Sequence, residues 1–529
     1  MARKQAKQKF RLATLDIETD PFLHGRTPMP FCIGFYDGEN YQDFWGDDCI
    51  FQMMEYLAEY PEPCKIYVHN GGGFDFWFMQ NFITNPIFFI NKRVAKCGLL
   101  DRHEMRDSYK MIPIPLSKFM KEEIDYRKLE EKVREKHKKE ILRYLYFDCK
   151  YLYDMVQRFT EEYGEFLTIG AASLHHMREM HPGNDHESKF FDARFRPWYM
   201  GGRNQCFETG AILRPLKYYD VNSLYPDRMA NAYHPLGNQY RVLSTIPEDK
   251  EDEFYFARIK ANSNGALPIY TKQGLKFPHG VNDFYATSHE IKMARSLGLL
   301  KIIKVEECLV WKQVQRYDTY INHHIAKKIA AEEAGDKGGR EFSKLFANNG
   351  YGKQGQDPSK YRDCKIFENV EDLINEGYDM AGSFGERFIG QKPTEIKPWS
   401  FNNVAIAASI TSASRAKLMH GIAHTERPVY CDTDSIICDS ADLEIHPTKL
   451  GAWKLEAELA QIHIAGKKLY AGYDENGVCI KKASKGVNLD GDTIRSIAAG
   501  EVVEVARDAP SLRFAQPAQF ISRKIRKTA

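Results

Sequence analysis

Acidic side chains recur in this sequence in short patterns that suit the binding of divalent cations. The segment YCDTDS places Asp432 and Asp434 two residues apart in a turn between apolar strands, and Asp220 ends the apolar run LKYYDV. Taken alone, a DxD turn is equally compatible with a solvated hairpin. Acids at strand ends can meet at one rim of a sheet, however, and Mg²⁺ prefers oxygen ligands. The three acids together predict a two-metal site for in-line phosphoryl transfer.

A second group of acids lies in the first third of the chain. Asp16 and Glu18 alternate along one strand face, and Asp75 follows the glycine loop 71–73. Tyr144 and Asp148 are four residues apart on an apolar helix, where an unpaired carboxylate is costly to bury. Each acid separately could be a solvated side chain. A metal cluster accounts for all four acids at once.

A third pattern lies on a helix. Arg340, Lys344, Asn348 and Tyr351 are spaced by four, four and three residues, which places them on one helix face. Two cations one turn apart suit a triphosphate, and an aromatic ring one turn further suits stacking on a base. The alternative interpretation is a solvated basic face.

The surrounding pattern indicates which elements position these residues. Strands are predicted at 10–18 and 65–69 and a long helix at 131–158, so the first 190 residues or so read as an α/β nuclease-like unit. The polar, turn-rich segment 181–188 is the preferred domain boundary. Helical character is predicted over about 314–350, broken at 335–339, and 356–400 reads as a polar insertion.

Composition excludes several other classes. The 529 residues carry a net charge of only +2, so the total neither requires nor excludes a nucleic-acid partner. The eleven cysteines include no CxxC pair, which argues against disulfides and structural zinc and fits a reducing cytoplasm. The sequence contains no phosphate-binding GxxxxGK[ST] loop and no apolar run long enough to cross a bilayer, and its first residues lack the apolar core of a signal peptide.

Three motifs in order, DVNSLYP, KLFANNGYGK and YCDTDS, resemble the polymerase motifs of the family B DNA polymerases. The resemblance implies that Asp220 and Asp434 are the principal metal ligands, that Asp432 assists, and that Val221 contributes main-chain contacts to metal and triphosphate. It also implies contacts to the incoming nucleotide from Tyr225 below the sugar, Arg340 and Lys344 on the phosphates, and Asn348 and Tyr351 at the nascent base pair. Asn349 stands where the family usually has serine, which affects the packing around that base pair.

The first group of acids resembles the exonuclease motifs of proofreading enzymes of the same family: DIET, N-x-x-x-F-D and Y-x-x-x-D. The resemblance implies that Asp16, Glu18, Asp75 and Asp148 hold two metals while Tyr144 orients the attacking water. It further implies that a frayed 3′ end is held by Thr19, Asn70, Phe74 and Ser108. Because the full set of acids is present, proofreading is expected to be active.

Two shorter motifs and the spacing between motifs indicate a branch of the family. Tyr199, Gly201 and Gly202 resemble the YxGG motif that contacts the template, and Lys468 and Tyr470 resemble the KxY motif that steadies the primer terminus. The intervals between Tyr225 and Arg340 and between Gly355 and Tyr430 are similar to those in protein-primed polymerases of phages and linear plasmids. DIETDPF, HNGGGFDF, WGDDCI and GKKLY resemble tectivirus polymerases in particular.

The resemblance implies an α/β multidomain fold, with an RNase H-like exonuclease domain followed by a right-hand polymerase of palm, fingers and thumb carrying two terminal-protein-region insertions. The expected ranges are exonuclease 1–188, palm 189–260 and 401–463, first insertion 261–320, fingers 321–355, second insertion 356–400, and KxY region with thumb 464–529. The first insertion would dock a terminal protein, and the second would close a channel around DNA during strand displacement.

The expected cofactor is Mg²⁺, with Mn²⁺ as an alternative, at two ions per active site. The expected partners are primer-template DNA, deoxynucleoside triphosphates and a terminal protein, with no membrane, for a monomer in the cytoplasm of an infected bacterial host. Other interpretations are a repair-type family B enzyme that extends only nucleic-acid primers, a stand-alone exonuclease whose second half merely binds DNA, and a non-enzymatic replication scaffold. Extension activity distinguishes the last two from a polymerase.

Overall fold

The computed structural model describes residues 10–22, 26–119, 122–183, 189–248, 250–394, 402–507 and 509–528. The domain boundaries expected at 188 and 400 lie outside these residues. Within these ranges, no helix combines the length and apolar character needed to cross a membrane.

The first part of the chain is an α/β unit built on a mixed sheet. Its strands and helices are β1 (Arg11–Thr19), β2 (Pro30–Tyr36), β3 (Tyr41–Trp45), α1 (Cys49–Glu59), β4 (Cys64–Val68), α2 (Asp75–Phe78), β5 (Ile83–Ile90), β6 (Arg93–Leu99), β7 (His103–Asp107), α3 (Lys138–Tyr163) and α4 (Ile169–Met180). Short 3₁₀ turns lie at Gly71–Gly73, Gln80–Phe82, Ser108–Lys110, Leu116–Lys118, Tyr126–Leu129 and Arg134–His137.

The order of strands in this sheet explains how the first acids are presented. β4 runs parallel to β1 and β7 parallel to β4, while β2 and β3 continue the other side antiparallel. Helix α3 packs across β1 and β2, and the Thr14 hydroxyl donates to the Cys149 carbonyl at 2.8 Å. Because side chains alternate along β1, Asp16 and Glu18 both face this helix.

The second part of the chain holds the remaining elements. They are α5 (Lys189–Phe195), β8 (Asn204–Cys206), β9 (Gly210–Ile212), β10 (Leu216–Val221), α6 (Leu224–Asn231), β11 (His234–Pro235), β12 (Tyr240–Leu243), β13 (Tyr255–Asn264), β14 (Ile269–Thr271), β15 (Gly274–Lys276), β16 (His279–Thr287), α7 (Ser288–Ser296), β17 (Leu300–Trp311), β18 (Val314–Gln315), α8 (Asp318–Glu333), α9 (Lys337–Gln354), β19 (Arg362–Phe367), α10 (Val370–Asn375), β20 (Asp379–Phe384), β21 (Arg387–Pro393), α11 (Val404–Ala423), β22 (Thr425–Asp432), β23 (Ser435–Ala441), β24 (Trp453–Leu459), β25 (Gln461–Gly466), β26 (Leu469–Tyr473), β27 (Cys479–Ser484), α12 (Gly491–Ala499), β28 (Val503–Ala506) and β29 (Ser522–Ile525). A further 3₁₀ turn lies at Arg196–Trp198 and another at Pro358–Lys360.

A central sheet in the order β24-β10-β23-β22-β8 carries Asp220, Asp432 and Asp434. β10 lies antiparallel to β23 with Asp220 opposite Ser435, and β22 and β23 form the hairpin whose turn contains Asp434. Helix α11 packs beside this sheet. It is rich in Ala and Ser and is buried on nearly all sides, as expected for a helix without a polar face.

The two predicted insertions are built differently. The first is a sheet in the order β12-β17-β13-β16 covered by α7, and it begins at Tyr240. The expected boundary at 260 therefore falls inside β13, and the one at 463 falls inside β25. The second insertion forms β19, β20 and β21, which extend the sheet of the first α/β unit through the pairing of β19 with β5.

Candidate active sites

Four acids gather where β1 meets α3. Ligand oxygens of Asp16, Glu18 and Asp148 lie within 4.8 Å of one another. Asp75, at the start of α2, lies beside Asp16 and accepts the main-chain N–H of Ile17. Burial raises the pKa of Asp16 to about 7, and burial together with the charge of Asp16 raises the pKa of Asp148 to about 8. Burial, followed by repulsion between neighbouring acids, raises the pKa of Glu18 and Asp75 well above their ordinary values.

A cleft of about 790 Å³ opens beside these acids. The Tyr144 hydroxyl donates to the Asp148 carboxylate and is hydrogen-bonded to Tyr126, whose side chain is 63% exposed. The cleft is lined by His69, Asn70, Arg93, Tyr109, Pro115, Leu116, Ser117, Glu122, Glu123, Ile124, Tyr126, Tyr144 and Asp148. Only Asn70, Tyr144 and Asp148 of this lining were among the predicted site residues, because the other residues lie in strand ends, 3₁₀ turns and loops without a recognisable spacing.

The residues expected to hold a frayed strand are placed differently from one another. Asn70 has left-handed backbone and accepts from Arg93 at 3.1 Å, and Phe74 is half-buried with its ring edge-on to Phe22. The hydroxyl of Thr19 is turned to the carbonyl of Asp20. Ser108 does not fit the expectation of direct strand contact, because it is fully buried. Its hydroxyl is bonded to His69 Nδ1 at 3.0 Å and to the Val68 carbonyl, so it fixes the His69 ring instead.

At the central sheet, Asp220 and Asp434 lie side by side on β10 and the β22–β23 turn. The main-chain N–H of Val221 donates to the Asp434 carbonyl at 2.8 Å, which fixes their register. Burial, with the charge of Asp434, raises the pKa of Asp220 to about 7, and burial also raises the pKa of Asp434. Asp432 differs from both. Its carboxylate accepts from Lys468 Nζ at 2.5 Å, so the motif's first acid is neutralised by a lysine.

The residues expected around the nucleotide are brought together in part. The rings of Tyr225 (α6) and Tyr351 (α9) stack at 4.5 Å and share a hydrogen bond. Lys344 is exposed on α9, as is Asn348, whose amide donates to the Lys344 carbonyl. Arg340 departs from the prediction, because its guanidinium is paired with carboxylates of the helices themselves. Its partners are Glu332 at 2.7 Å and Glu341 at 2.5 Å.

The YxGG segment lies against the turn that carries the polymerase acids. The Thr433 N–H donates to the Arg203 carbonyl at 2.7 Å, and a Cβ at Gly202 would lie 2.9 Å from the Thr433 side chain. Gly201 faces open space, and the Tyr199 ring packs over Gly355 at the end of α9. The segment therefore bridges the end of α9 and the acidic turn.

The KxY residues also have distinct roles. Lys468 carries the ion pair to Asp432, and its main-chain N–H donates to the Tyr430 hydroxyl at 3.0 Å. Tyr470 is 5% exposed, with its ring packed on Tyr430 and its hydroxyl bonded to Tyr218. Its placement fits support of the sheet below the acids rather than direct contact with DNA.

Three functional candidates escaped prediction from the sequence. Arg415, Glu290 and Arg203 are almost fully buried around the YxGG segment. The one available signal was Arg415 beside a run of small and apolar residues at 404–414, because burying an unpaired charge is costly. The contact partners of these three residues are far away in the sequence and gave no signal.

The donor sets at both sites fit divalent metal ions. Both offer carboxylate oxygens, which suit Mg²⁺ and Mn²⁺. Asp148 Oδ1 is buried without a hydrogen-bond partner among the described residues, and the acids around it repel one another. Cations between these carboxylates would satisfy that atom and relieve the repulsion.

The two groups of acids therefore lie in separate parts of the fold, one in the first α/β unit and one on the central sheet. A family model described as "DNA polymerase type B, organellar and viral" matches residues 117–444. The chain is 39% identical to the DNA-directed DNA polymerase of Enterobacteria phage PRD1, over 99% of this chain and 100% of that relative. It is 22% identical to the DNA polymerase of Bacillus phage phi29, over 69% of this chain and 66% of the relative.

The chain belongs to the type B DNA polymerases of the organellar and viral group, and it is a DNA-directed DNA polymerase. Its fold matches that of phi29 DNA polymerase complexed with primer-template DNA and incoming nucleotide, with a TM-score of 0.72 at 16% identity over 98% of this chain and 100% of that one. The expected multidomain α/β fold and the resemblance to family B are both confirmed.

Proposed function

We propose that this polymerase also proofreads by 3′–5′ exonuclease activity and that it starts synthesis on a protein primer. The observation that carries the first part is the separate cluster of Asp16, Glu18 and Asp148, whose oxygens lie within 4.8 Å at the edge of a cleft. That cluster uses none of the acids of the central sheet, so each activity has its own ligands.

At the polymerase site, Asp220 and Asp434 would hold two divalent metals, which supply charge neutralisation and activate the primer 3′-hydroxyl for attack on the α-phosphate. Lys344 lies exposed on α9, where its charge can meet the triphosphate. The stacked pair of Tyr225 and Tyr351 would form the floor below the sugar and base, where a ring leaves no room for a 2′-hydroxyl. Lys468 holds Asp432 in place beside them.

At the exonuclease site, Asp16, Glu18, Asp75 and Asp148 would hold the metals that activate water. The Tyr144 hydroxyl stands over Asp148 at the cleft wall, where it can orient that water. Asn70 lines the cleft and would receive the frayed 3′ end by an amide contact, and the half-buried Phe74, four residues further along the chain, would stack on a base.

Protein priming and strand displacement rest on the two insertions. The first is a separate sheet capped by α7 and stands beside the central sheet, where a priming protein could dock. The second joins the exonuclease unit through β19 and β5, which would help it to enclose DNA. The overall similarity to the phage PRD1 polymerase supports this branch of the family. The setting would be the cytoplasm of an infected bacterium.

The test is a pair of single-site variants of the full chain. Asp434→Asn is expected to reduce primer extension by at least about 10³-fold, because a metal ligand is lost, while degradation of a single-stranded oligonucleotide stays at the unmodified level. Asp16→Asn is expected to do the converse. Equal loss of both activities in either variant would contradict two separate sites.

Protein priming needs its own measurement. The chain is incubated with labelled deoxynucleotide, Mg²⁺ and a candidate terminal protein, and the label is followed into protein. Covalent labelling that depends on Asp434 is expected. If the chain extends DNA primers but labels none of the candidate terminal proteins tested, the repair-type enzyme is favoured.

A further inference from the structure

Two buried guanidinium groups hold the segment Tyr199–Arg203 in place. The first is Arg415 of α11, whose side chain is 2% exposed. Its Nη1 donates to the carbonyls of Met200 at 2.5 Å and Gly201 at 2.9 Å. Main-chain carbonyls carry no charge, so these bonds alone do not offset the burial of a cation.

The charge of Arg415 is balanced by Glu290 of α7. Arg415 Nε donates to Glu290 Oε1 at 2.8 Å, and the Glu290 side chain is 1% exposed. Glu290 also completes the N-terminal capping box of α7 with Thr287, whose hydroxyl is bonded to Ser412 of α11 at 2.7 Å. The carboxylate is therefore fixed by the start of a helix that belongs to the first insertion.

The second guanidinium is that of Arg203. Its Nη1 donates to the Gly265 carbonyl at 3.0 Å, and the group lies 4.2 Å from the centre of the Phe277 ring. Both partners belong to the first insertion. The Arg203 carbonyl accepts from Thr433, the residue between Asp432 and Asp434. The segment is thus held by the insertion directly at Arg203 and, through Arg415 and Glu290, at Met200 and Gly201, and it touches the acidic turn.

We propose that Arg415 and Glu290 are positioning residues, which hold the Tyr199–Gly202 segment in the shape that binds primer-template DNA and supports the Asp432–Asp434 turn. The first insertion thereby takes part in shaping the polymerase site. This inference rests on the proposed assignment of that turn and segment to the polymerase site. It does not depend on protein priming.

The test uses Arg415→Lys and Glu290→Gln in the full chain. Lysine keeps the charge but cannot reach the two carbonyls and the carboxylate together, and glutamine keeps the shape but removes the charge. Both are expected to weaken binding of primer-template DNA without divalent metal by on the order of tenfold, measured by fluorescence anisotropy. Both should also raise the Mg²⁺ concentration that gives half-maximal extension.

One readout and one control variant separate positioning from general damage. The rate of single-stranded degradation should stay at the unmodified value, since the cleft beside Asp148 is not touched. The matched control is Glu307→Gln, which removes a more exposed ion pair between Glu307 of the same insertion and Arg194 of α5. This variant should leave DNA affinity and the Mg²⁺ requirement unchanged. If Arg415→Lys loses both activities through misfolding, the DNA affinity and Mg²⁺ requirement of Glu290→Gln provide the test.

Unchanged DNA affinity and Mg²⁺ requirement in a folded Glu290→Gln variant would overturn the proposal, as would a fall in both activities in equal proportion. Extension by the unmodified chain tests the proposed polymerase site independently. A failure of the proposed polymerase site is therefore distinguishable from a failure of the positioning role of Arg415 and Glu290.

Discussion

At the scale of single residues, close packing decides what the exonuclease loop can tolerate. A Cβ at Gly72 would lie 1.9 Å from the carbonyl oxygen of Val94, and this backbone contact cannot yield as a flexible side chain would. The loop leads from Asn70 at the cleft to Asp75 beside Asp16. Any displacement of the loop therefore moves a proposed metal ligand.

Gly72→Ala is expected to lower single-stranded degradation by about 100-fold, because a shift of about 1 Å in a ligand is enough for such a loss. Extension should persist. The control is Gly170→Ala on α4, where the nearest atom to a Cβ lies at 3.6 Å and alanine favours the helix. Normal degradation by Gly72→Ala would mean that the loop can be rebuilt without moving Asp75.

At the scale of elements, α4 and α8 meet through histidines that stay neutral. His324 is fully buried and stacks on Phe346, with His176 and His323 nearby, and neither of its ring nitrogens has a hydrogen-bond partner among the described residues. Burial, followed by repulsion from His323, His176 and Lys327, lowers the pKa of His324 to about 3. Protonation of this group is therefore compatible with the unfolded chain but not with the packed helices.

The lowered pKa of His324 makes the stability of the fold depend on pH. The unfolded chain takes up a proton near the ordinary pKa of about 6.5, whereas the folded chain does not until about pH 3, so stability falls as the pH is lowered through this window. The loss attributable to His324 is about 2 kcal/mol between about pH 7 and about pH 5. His324→Leu should reduce this loss, measured as the thermal midpoint against pH. The control is exposed His175→Gln on α4, and an unchanged slope in His324→Leu would contradict the argument.

Local patterns predicted elements better than they predicted contacts. The strands expected at 10–18 and 65–69 lie at 11–19 and 64–68, because alternating or apolar runs directly report a buried strand. The helix expected at 131–158 begins only at Lys138, since the charged segment directly before it forms the 3₁₀ turn Arg134–His137. Both groups of acids were predicted from spacing and family motifs. The pairs Arg415–Glu290 and Lys468–Asp432 could not be, because no periodicity links residues so far apart.

At the scale of the whole molecule, three segments distant in sequence share one apolar core. Phe384 of the second insertion packs on Phe514 near the end of the chain at 4.9 Å, and both join the core of the first α/β unit. Trp77 Nε1 donates to the carbonyl of Gln516 at 3.0 Å. The second insertion is therefore attached to the exonuclease unit and to the end of the chain at the same place.

Polar contacts fix the insertion on the exonuclease side. The guanidinium of Arg387 donates to the carbonyls of Ile83 at 2.9 Å and Asn81 at 2.5 Å, and the Asn85 amide exchanges two hydrogen bonds of 2.9 Å with the main chain of Ile366. Removing Arg387 leaves several carbonyls without their donor, and a bond of this kind to a charged group contributes about 1.5–3 kcal/mol. The contact should open more often while each domain stays folded.

Arg387→Ala is therefore expected to shorten the products made on a primed single-stranded circle, from many circuits to about one or fewer, if enclosure of DNA keeps the polymerase bound. Addition of a few nucleotides to a short linear primer should be unchanged, because neither group of acids moves. Glu376→Gln is the matched control, since it removes an exposed pair with Lys365 within the insertion itself. If Arg387→Ala makes products of unmodified length, strand displacement does not depend on the Arg387 contact. It would then be assigned to the palm and fingers.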